Sequence, residues 1–315
     1  MKKYPNDHAL NSDNVYGTRP EPTFGGVTSF MRRRYTKDLS GVDVAVMGIP
    51  FDTATTNRSG TRMGPRAIRN ASTTMAWERP YGMDFDPFDK LAVVDIGDCY
   101  FEHSQPQGVP QQIEEYASGV LDDGAALLSL GGDHFVTYPV LKAHAKKFGA
   151  PLSLLHFDAH TDTWADKDGG IDHGTMFWHA TNEGLIDPAT SMQVGIRTSN
   201  PDTMGFGILD APDVHRLGID GVVSAIRERI GNKPVYLTFD IDCIDPAFAP
   251  GTGTPVCGGL NTHQALSILR GLQGINLIGM DLVEVAPQYD VGEITALAAT
   301  ALAMEMLYLY ANRPT

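Results

Sequence analysis

Pro151-Leu152-Ser153-Leu154-Leu155 runs directly into His156-Phe157-Asp158-Ala159-His160-Thr161-Asp162, and this stretch decides how the chain reads. The first five residues form a mostly apolar run that suits a buried strand. Then carboxylate, imidazole and carboxylate alternate at Asp158, His160 and Asp162. A strand repeats its side-chain direction every second residue, so these three groups converge where the strand ends. Bare carboxylates held together repel one another and are costly to bury. A divalent cation removes that cost, so the stretch reads as half of a metal site.

The other half lies further along. Pro234-Val235-Tyr236-Leu237-Thr238-Phe239 ends in Asp240-Ile241-Asp242, again with two carboxylates at period two. A third run, Ala125-Ala126-Leu127-Leu128-Ser129-Leu130, ends in Gly131-Gly132-Asp133-His134. Helical patterns separate the three runs. Strand ends that carry polar groups, alternating with helices, are the signature of a parallel α/β sheet with its site at the carboxyl edge.

The candidate ligands are His134, Asp158, His160, Asp162, Asp240 and Asp242. That is too many for one zinc, which takes four protein ligands or three and a water. Two imidazoles and four carboxylates shared between two ions give oxygen-rich shells, which favour Mn²⁺ or Mg²⁺, and the imidazoles tip the choice to two Mn²⁺ ions. Two metals roughly 3.5–4 Å apart generate a hydroxide nucleophile near neutral pH. Any one of these aspartates alone would read as a turn or helix cap, as Asp245 before Pro246 does. Three such strand ends in one chain do not.

These segments resemble the arginase-fold ureohydrolases, and within them the agmatinases most. The resemblance rests on Gly131 to His134, His156 to Trp164 (HFDAHTDTW), Asp172 to Phe177 (DHGTMF), Thr238 to Leu260 (TFDIDCIDPAFAPGTGTPVCGGL), Gly279 to Asp290 (GMDLVEVAPQYD) and Gly60 to Arg69. It covers the chain from about Val42 to the C-terminal helix. It implies that His134, Asp158, Asp162 and Asp240 bind one manganese, and Asp158, His160, Asp240 and Asp242 the other, with Asp158 and Asp240 bridging. It also implies that His173 is a mobile-loop histidine carrying protons to the leaving amine, and that Glu284 grips the guanidinium. None of these positions departs from the family's pattern.

Those roles agree with the chemistry. The carbon of a guanidinium is a poor electrophile, and the departing amine leaves badly as an anion. A carboxylate at Glu284 pairs with a fork of N–H donors and holds the carbon in line. Asp162 or His173 supplies the proton, and histidine regains it from solvent near neutral pH. A lone loop histidine or strand-end glutamate would ordinarily be structural. His173 follows Asp162 closely, and Glu284 follows the apolar run Ile275 to Met280 to the same rim. His156, Asp133 and Asp281 read as supporting residues rather than ligands, and Cys243 as a small packed residue.

With 315 residues, 42% of them hydrophobic, the chain can bury a large core. Because the expected site draws on distant segments without an intervening linker, it reads as one domain from 42 to 315, preceded by a surface arm over 1–41. A net charge of −14 without a basic stripe excludes nucleic acid as a partner and suits a small cationic guanidino substrate. The unpaired spacing of Cys99, Cys243 and Cys257 and the polar start of the chain point to the cytoplasm, with no membrane association. Strands are expected at 42–47, 90–95, 126–130, 152–157, 192–195, 207–209, 235–239 and 276–280. Helices are expected at 65–72, 111–121, 137–148, 220–230, 262–272 and 293–310. The fold class is therefore α/β: a three-layer α/β/α domain with a mostly parallel sheet, for which the resemblance implies eight strands and a homo-oligomer, trimer or hexamer.

The loop Thr163 to Asp172 carries three Asp, one Lys and no Asn, Ser or Arg, and reads either as a partner for a cationic tail or as a solvated acidic loop without substrate contact. It does not read as a receptor for an amino acid's carboxylate. With the match at Trp164, Met176 and Phe177, the resemblance implies hydrolysis of agmatine to putrescine and urea. A guanidino acid such as 4-guanidinobutyrate is the nearest alternative and needs a basic residue at the substrate's far end, for which Arg197 is the candidate. Arginase activity, a single-zinc deacetylase-type amidase and a non-catalytic metal-binding scaffold are weaker alternatives.

Overall fold

The computed structural model describes residues 22–76, 79–166 and 168–314. Its centre is one parallel sheet: β1 (Arg34–Tyr35), β2 (Val44–Ile49), β3 (Val93–Asp98), β4 (Ala126–Gly131), β5 (Ser153–Phe157), β6 (Met192–Ile196), β7 (Gly207–Asp210), β8 (Val235–Asp240) and β9 (Leu277–Val283). Their spatial order is β1-β3-β2-β4-β9-β8-β5-β6-β7.

The sheet is buried on both faces, and its strands show the period of two. Val44, Val46, Leu128, Leu155 and Phe157 enter one apolar layer. Ala45, Met47, Leu127 and Leu154 enter the other. On the first face lie α1 (Gly64–Ser72), α6 (Ala211–Ile230), α7 (Thr262–Gly271) and α8 (Ile294–Ala311). On the second lie α3 (Val109–Asp122), α4 (Thr137–Phe148) and α5 (Met176–Asn182); the short α2 (Pro87–Lys90) leads into β3. The result is the expected α/β/α layering. Helix α8 is long and apolar enough to cross a membrane by length and composition, but it is packed within this domain with its window 78% buried.

Among the described residues, nine strands stand where eight were expected, and the addition comes from the segment expected to be a surface arm. Residues 1–21 of that arm lie outside the described residues. Within its remainder, Arg34 and Tyr35 pair with Val94 and Asp95 of β3. Phe30 and Met31 are fully buried; their N–H groups donate to Asp95 Oδ2 at 2.7 Å and Ser72 Oγ at 2.8 Å. A two-residue strand is too short to show periodicity, and its anchors are polar and distant in sequence.

Other boundaries moved for local reasons. The strand expected from Lys90 begins at Val93, because Asp86 accepts Phe88 N–H and starts α2. The helix expected from Asp220 begins at Ala211, where Asp210 accepts the N–H of Asp213, and it bends at Gly218 (φ 69°). Helix α5 was not expected; only seven residues long, it buries Met176, Phe177 and Ala180.

Candidate metal centre

Four adjacent strands, β4, β9, β8 and β5, bring the expected residues to one place at the middle of the sheet's carboxyl edge. His134 follows β4, Glu284 follows β9, Asp240 and Asp242 lie at the end of β8, and Asp158, His160 and Asp162 follow β5. Gly132 makes the turn after β4 possible, since a Cβ there would sit 2.0 Å from the carbonyl oxygen of Phe51. Asp162 (φ 51°) and Glu284 (φ 65°) both hold the left-handed backbone conformation that is strained for such residues. Strain of this kind is characteristic of functional sites.

All six expected ligands meet in two groups that share Asp158. His134 Nδ1 lies 2.9 Å from Asp158 Oδ2, 3.1 Å from Asp162 Oδ2 and 3.3 Å from Asp240 Oδ2. His160 Nδ1 lies 3.2 Å from Asp158 Oδ1 and 3.2 Å from Asp242 Oδ2. Asp158 thus sends one oxygen to each group. The second oxygen of Asp240, Oδ1, accepts the Asp242 N–H at 2.8 Å.

Hydrogen bonds decide which imidazole nitrogens face the carboxylates. Thr238 Oγ1 donates its single hydrogen to Asp281 Oδ1 at 2.5 Å, and Tyr236 and Thr137 donate to Asp281 Oδ2. Thr238 must therefore accept from His134 Nε2–H, 2.8 Å away. His134 Nδ1, aimed at three carboxylates, has no hydrogen-bond partner of its own. His156 is arranged the opposite way. Gln193 Nε2 donates to both Thr161 O (2.7 Å) and His156 Nδ1 (3.0 Å), so His156 Nε2–H points at Asp158 Oδ2, 2.8 Å away. It has no lone pair to offer inward and supports Asp158, as expected.

The electrostatics call for a cation. Burial raises the pKa of Asp162 to about 7, with the Asp158 charge adding to it. Burial and neighbouring carboxylates also raise Asp240 and Asp242. Burial opposes charge on His134 and His160, but the carboxylates outweigh it. They lift His134 well above its ordinary value and His160 to about 12. Among the described residues, the ion-pair partners of these four aspartates are imidazoles only. Nδ1 of each imidazole is where either a proton or a cation satisfies the carboxylates, and a divalent cation displaces that proton. An unpartnered buried nitrogen, carboxylate oxygens and a shared aspartate fit a pair of oxygen-preferring divalent ions.

A cleft of about 330 Å³ opens over the cluster. Thr56, Trp164, Asp172, His173 and Thr254 line it together with His160, Asp162 and Asp240. His173 Nδ1 lies 2.8 Å from Glu284 Oε1, which also accepts the His134 N–H at 2.9 Å. Burial works against charge on the His173 ring, yet the Glu284 carboxylate raises it to about 9. Glu284 Oε2 is buried and has no hydrogen-bond partner among the described residues.

Several secondary expectations resolve. Arg197, the candidate for a guanidino acid's far end, does not face the cleft: its guanidinium donates to the carbonyls of Gly195, Asp242, Cys243 and Val256. Of the loop aspartates, only Asp172 lines the cleft. Asp166 is taken up by the N–H groups of Asp168, Gly169 and Gly170 and by His179. Lys167 lies outside the described residues. Asp133 accepts the Ala54 N–H, Asp245 caps Ala247, Gly258 and Gly259, and Cys243 is buried against Val194 O. Thr56 was not singled out from the sequence. It lies in a loop without periodicity, and its only sequence signal was a place just beyond a strand end at the same rim.

A family model described as the arginase family matches residues 42–308. An agmatinase of Chromobacterium violaceum is 56% identical over 308 residues, covering 98% of this chain and 96% of that protein. The crystal structure of a hypothetical agmatinase from Burkholderia thailandensis superposes with a TM-score of 0.95 at 56% identity, covering 97% of each chain. A proclavaminate amidino hydrolase from Streptomyces clavuligerus gives a TM-score of 0.87 at 40% identity, covering 93% of this chain and 99% of that one. The β4–β9–β8–β5 edge with its paired His/Asp groups is therefore this chain's version of a shared architecture, and the chain belongs to the arginase family.

Proposed function

We propose that the protein is a hydrolase of linear amidines that cleaves agmatine to putrescine and urea, using two manganese ions. The observation that carries this reading is the double His/Asp cluster beneath a cleft, with the buried, unpartnered Oε2 of Glu284 beside it. His134, Asp158, Asp162 and Asp240 hold one ion, and Asp158, His160, Asp240 and Asp242 the other. When bound, the ions acidify water to supply the nucleophile and offset the carboxylate charge.

The chain's own residues do the rest. Glu284 Oε1 is fixed by His134 N–H and His173, which leaves Oε2 to accept guanidinium N–H and set the carbon above the cluster. His173 delivers the proton that the departing amine requires. Among the described residues, the cleft lining includes no Lys or Arg, and it presents Asp172 and the Trp164 indole. A carboxylate and an aromatic face suit an ammonium tail. Arg197 is occupied by four carbonyls, which disfavours a guanidino acid. The same reading includes a cytoplasmic homo-oligomer, supported by three free cysteines and by exposed Val291, Ile294 and Leu297 near the start of α8.

The test is urea release by manganese-loaded protein from agmatine, 4-guanidinobutyrate and L-arginine side by side, with a chelator-treated control. Preference for agmatine that the chelator abolishes is the expected result. Preference for guanidinobutyrate would overturn the reading of the cleft. No urea from any of the three would overturn the assigned reaction.

A further inference from the structure

The loop leaving β2 grips His173 through three contacts. His173 N–H donates to Ala54 O at 3.3 Å. Thr56 N–H donates to His173 Nε2 at 3.1 Å, and Thr56 Oγ1 lies 2.8 Å from the same nitrogen. The loop is itself pinned: Ala54 N–H donates to Asp133 Oδ2 at 2.8 Å, Gly60 N–H to Asp52 Oδ2 at 2.7 Å, and Asn57 Nδ2 to Gly253 O at 3.2 Å. Thr56 is exposed on the wall of the cleft.

Both ring nitrogens of His173 are thereby engaged, Nδ1 by Glu284 and Nε2 by Thr56. Glu284 takes the Nδ1 proton, so Nε2 is the nitrogen that must gain and lose a proton. When Nε2 carries a lone pair, the backbone N–H of Thr56 satisfies it. When Nε2 carries a proton, that N–H is useless and an acceptor is required. A hydroxyl has one hydrogen and two lone pairs, so it can serve either state.

We propose that the Thr56 hydroxyl is the proton-relay partner of His173. It accepts the Nε2 proton as it passes its own hydrogen to the nitrogen of the departing amine. The C–N bond breaks with its electron pair going to that nitrogen. The ring is left neutral, Thr56 keeps a single hydrogen, and the ring regains a proton from solvent by the reverse path. The relay lets the proton leave without turning a ring held at both ends. Glu284, Asp162 and Asp133 act on the charge of the ring, and Asp172 and Asp240 line the same cleft; an ionised carboxylate has no hydrogen to give and does not supply this amphoteric contact. The proposal rests on the reading of His173 as the proton donor to the amine.

The test is Thr56→Val, which keeps the backbone N–H and the branched shape but removes the hydroxyl. The expected result is unchanged metal content, KM for agmatine within about 3-fold, and kcat lowered roughly 10–100-fold, at or below the range for losing an acid–base group. Thr56→Ser should restore most of the loss. In a His173→Ala background, Thr56→Val should cost nothing further, because the two residues act as one unit. An unchanged kcat in Thr56→Val, or an equal loss in the His173→Ala background, would overturn the relay. Exchange of the histidine C2 hydrogen, followed by mass spectrometry, reads the same contact without turnover. The His173 midpoint should fall in Thr56→Val, where only a donor faces Nε2, and return in Thr56→Ser. An unmoved midpoint overturns the proposal even if the wild-type protein hydrolyses no guanidine, which would be the separate failure of the functional reading.

Discussion

His173 and Glu284 are joined Nδ1 to Oε1 at 2.8 Å across 111 residues of chain. The proposed proton carrier and the proposed guanidinium grip are therefore one unit, and a change in either is felt by both.

Glu284→Gln keeps the volume but removes the charge. Its kcat/KM for agmatine should fall about 10²–10³-fold, the usual scale for losing one electrostatic contact at a reacting centre. Bound metal should stay at the wild-type level, since Glu284 touches His134 only through the backbone N–H. A kcat/KM equal to wild type would remove Glu284 from substrate binding.

Asp240→Asn should reduce bound manganese and activity together, measured by elemental analysis and urea release on the same preparation. Asp240 Oδ2 faces His134 and Oδ1 orients the Asp242 N–H, so the substitution weakens both groups. Full metal content in this variant would sink its assignment as a shared ligand.

Thr238→Val tests the support of His134. Without the hydroxyl, nothing holds the Nε2–H tautomer, and Asp281 loses one of its three donors. Manganese affinity should drop about 10–100-fold, as for other supports of metal-binding histidines. Titration followed by electron paramagnetic resonance gives the number, and an unchanged dissociation constant would disprove the tautomer argument.

Chelator-treated protein should lose thermal stability as pH rises from 6.5 to 9. Asp162 is raised to about 7, His173 to about 9 and His160 to about 12. Each binds its proton more tightly when folded, so its contribution is present at lower pH and is lost as pH climbs through the folded value. His144 and His156, lowered to about 4 by burial, act in the opposite sense, but only below their ordinary value of 6.5. Manganese should restore the lost stability most at the alkaline end. A melting temperature that is flat or rising over this window contradicts the account.

Arg197→Ala separates structure from specificity. Its guanidinium ties the turn after β8 to β6 and to Val256, and hydrogen bonds from a charged donor contribute about 1.5–3 kcal/mol. The variant should be less stable by about 2 kcal/mol while its ratio of agmatine to guanidinobutyrate turnover stays the same. A reversed ratio would restore the guanidino-acid reading.

What could be read from the sequence divides along physical lines. The convergence of the six expected ligands was legible because each lies just beyond an apolar run, and strand geometry turns that place into direction. His156 lies inside the strand, between Gln193 and Asp158, and its place within the apolar run was what separated it from the expected ligands in the sequence. Thr56 escaped because its loop is pinned by bonds to residues distant in sequence, Ala54 N–H to Asp133 and Asn57 Nδ2 to Gly253 O. The occupation of Arg197 by carbonyls escaped for the same reason: composition records a charge and not what it is already bound to. The early segment at Phe30 and Met31 escaped because polar anchors on β3 and α1, rather than an amphipathic period, hold it down.

The position of β9 has a consequence for how the protein is made. All six expected ligands precede Leu277 in the chain, yet β9 lies between β4 and β8 in space. Synthesis of all six expected ligands precedes synthesis of the strand that lies between the strand before His134 and the strand ending in Asp240. β9 pairs with β4 on one side and β8 on the other, and α8 follows it in the chain. A chain ending before Leu277 would therefore carry every expected ligand and lack the strand that joins the two halves of their rim.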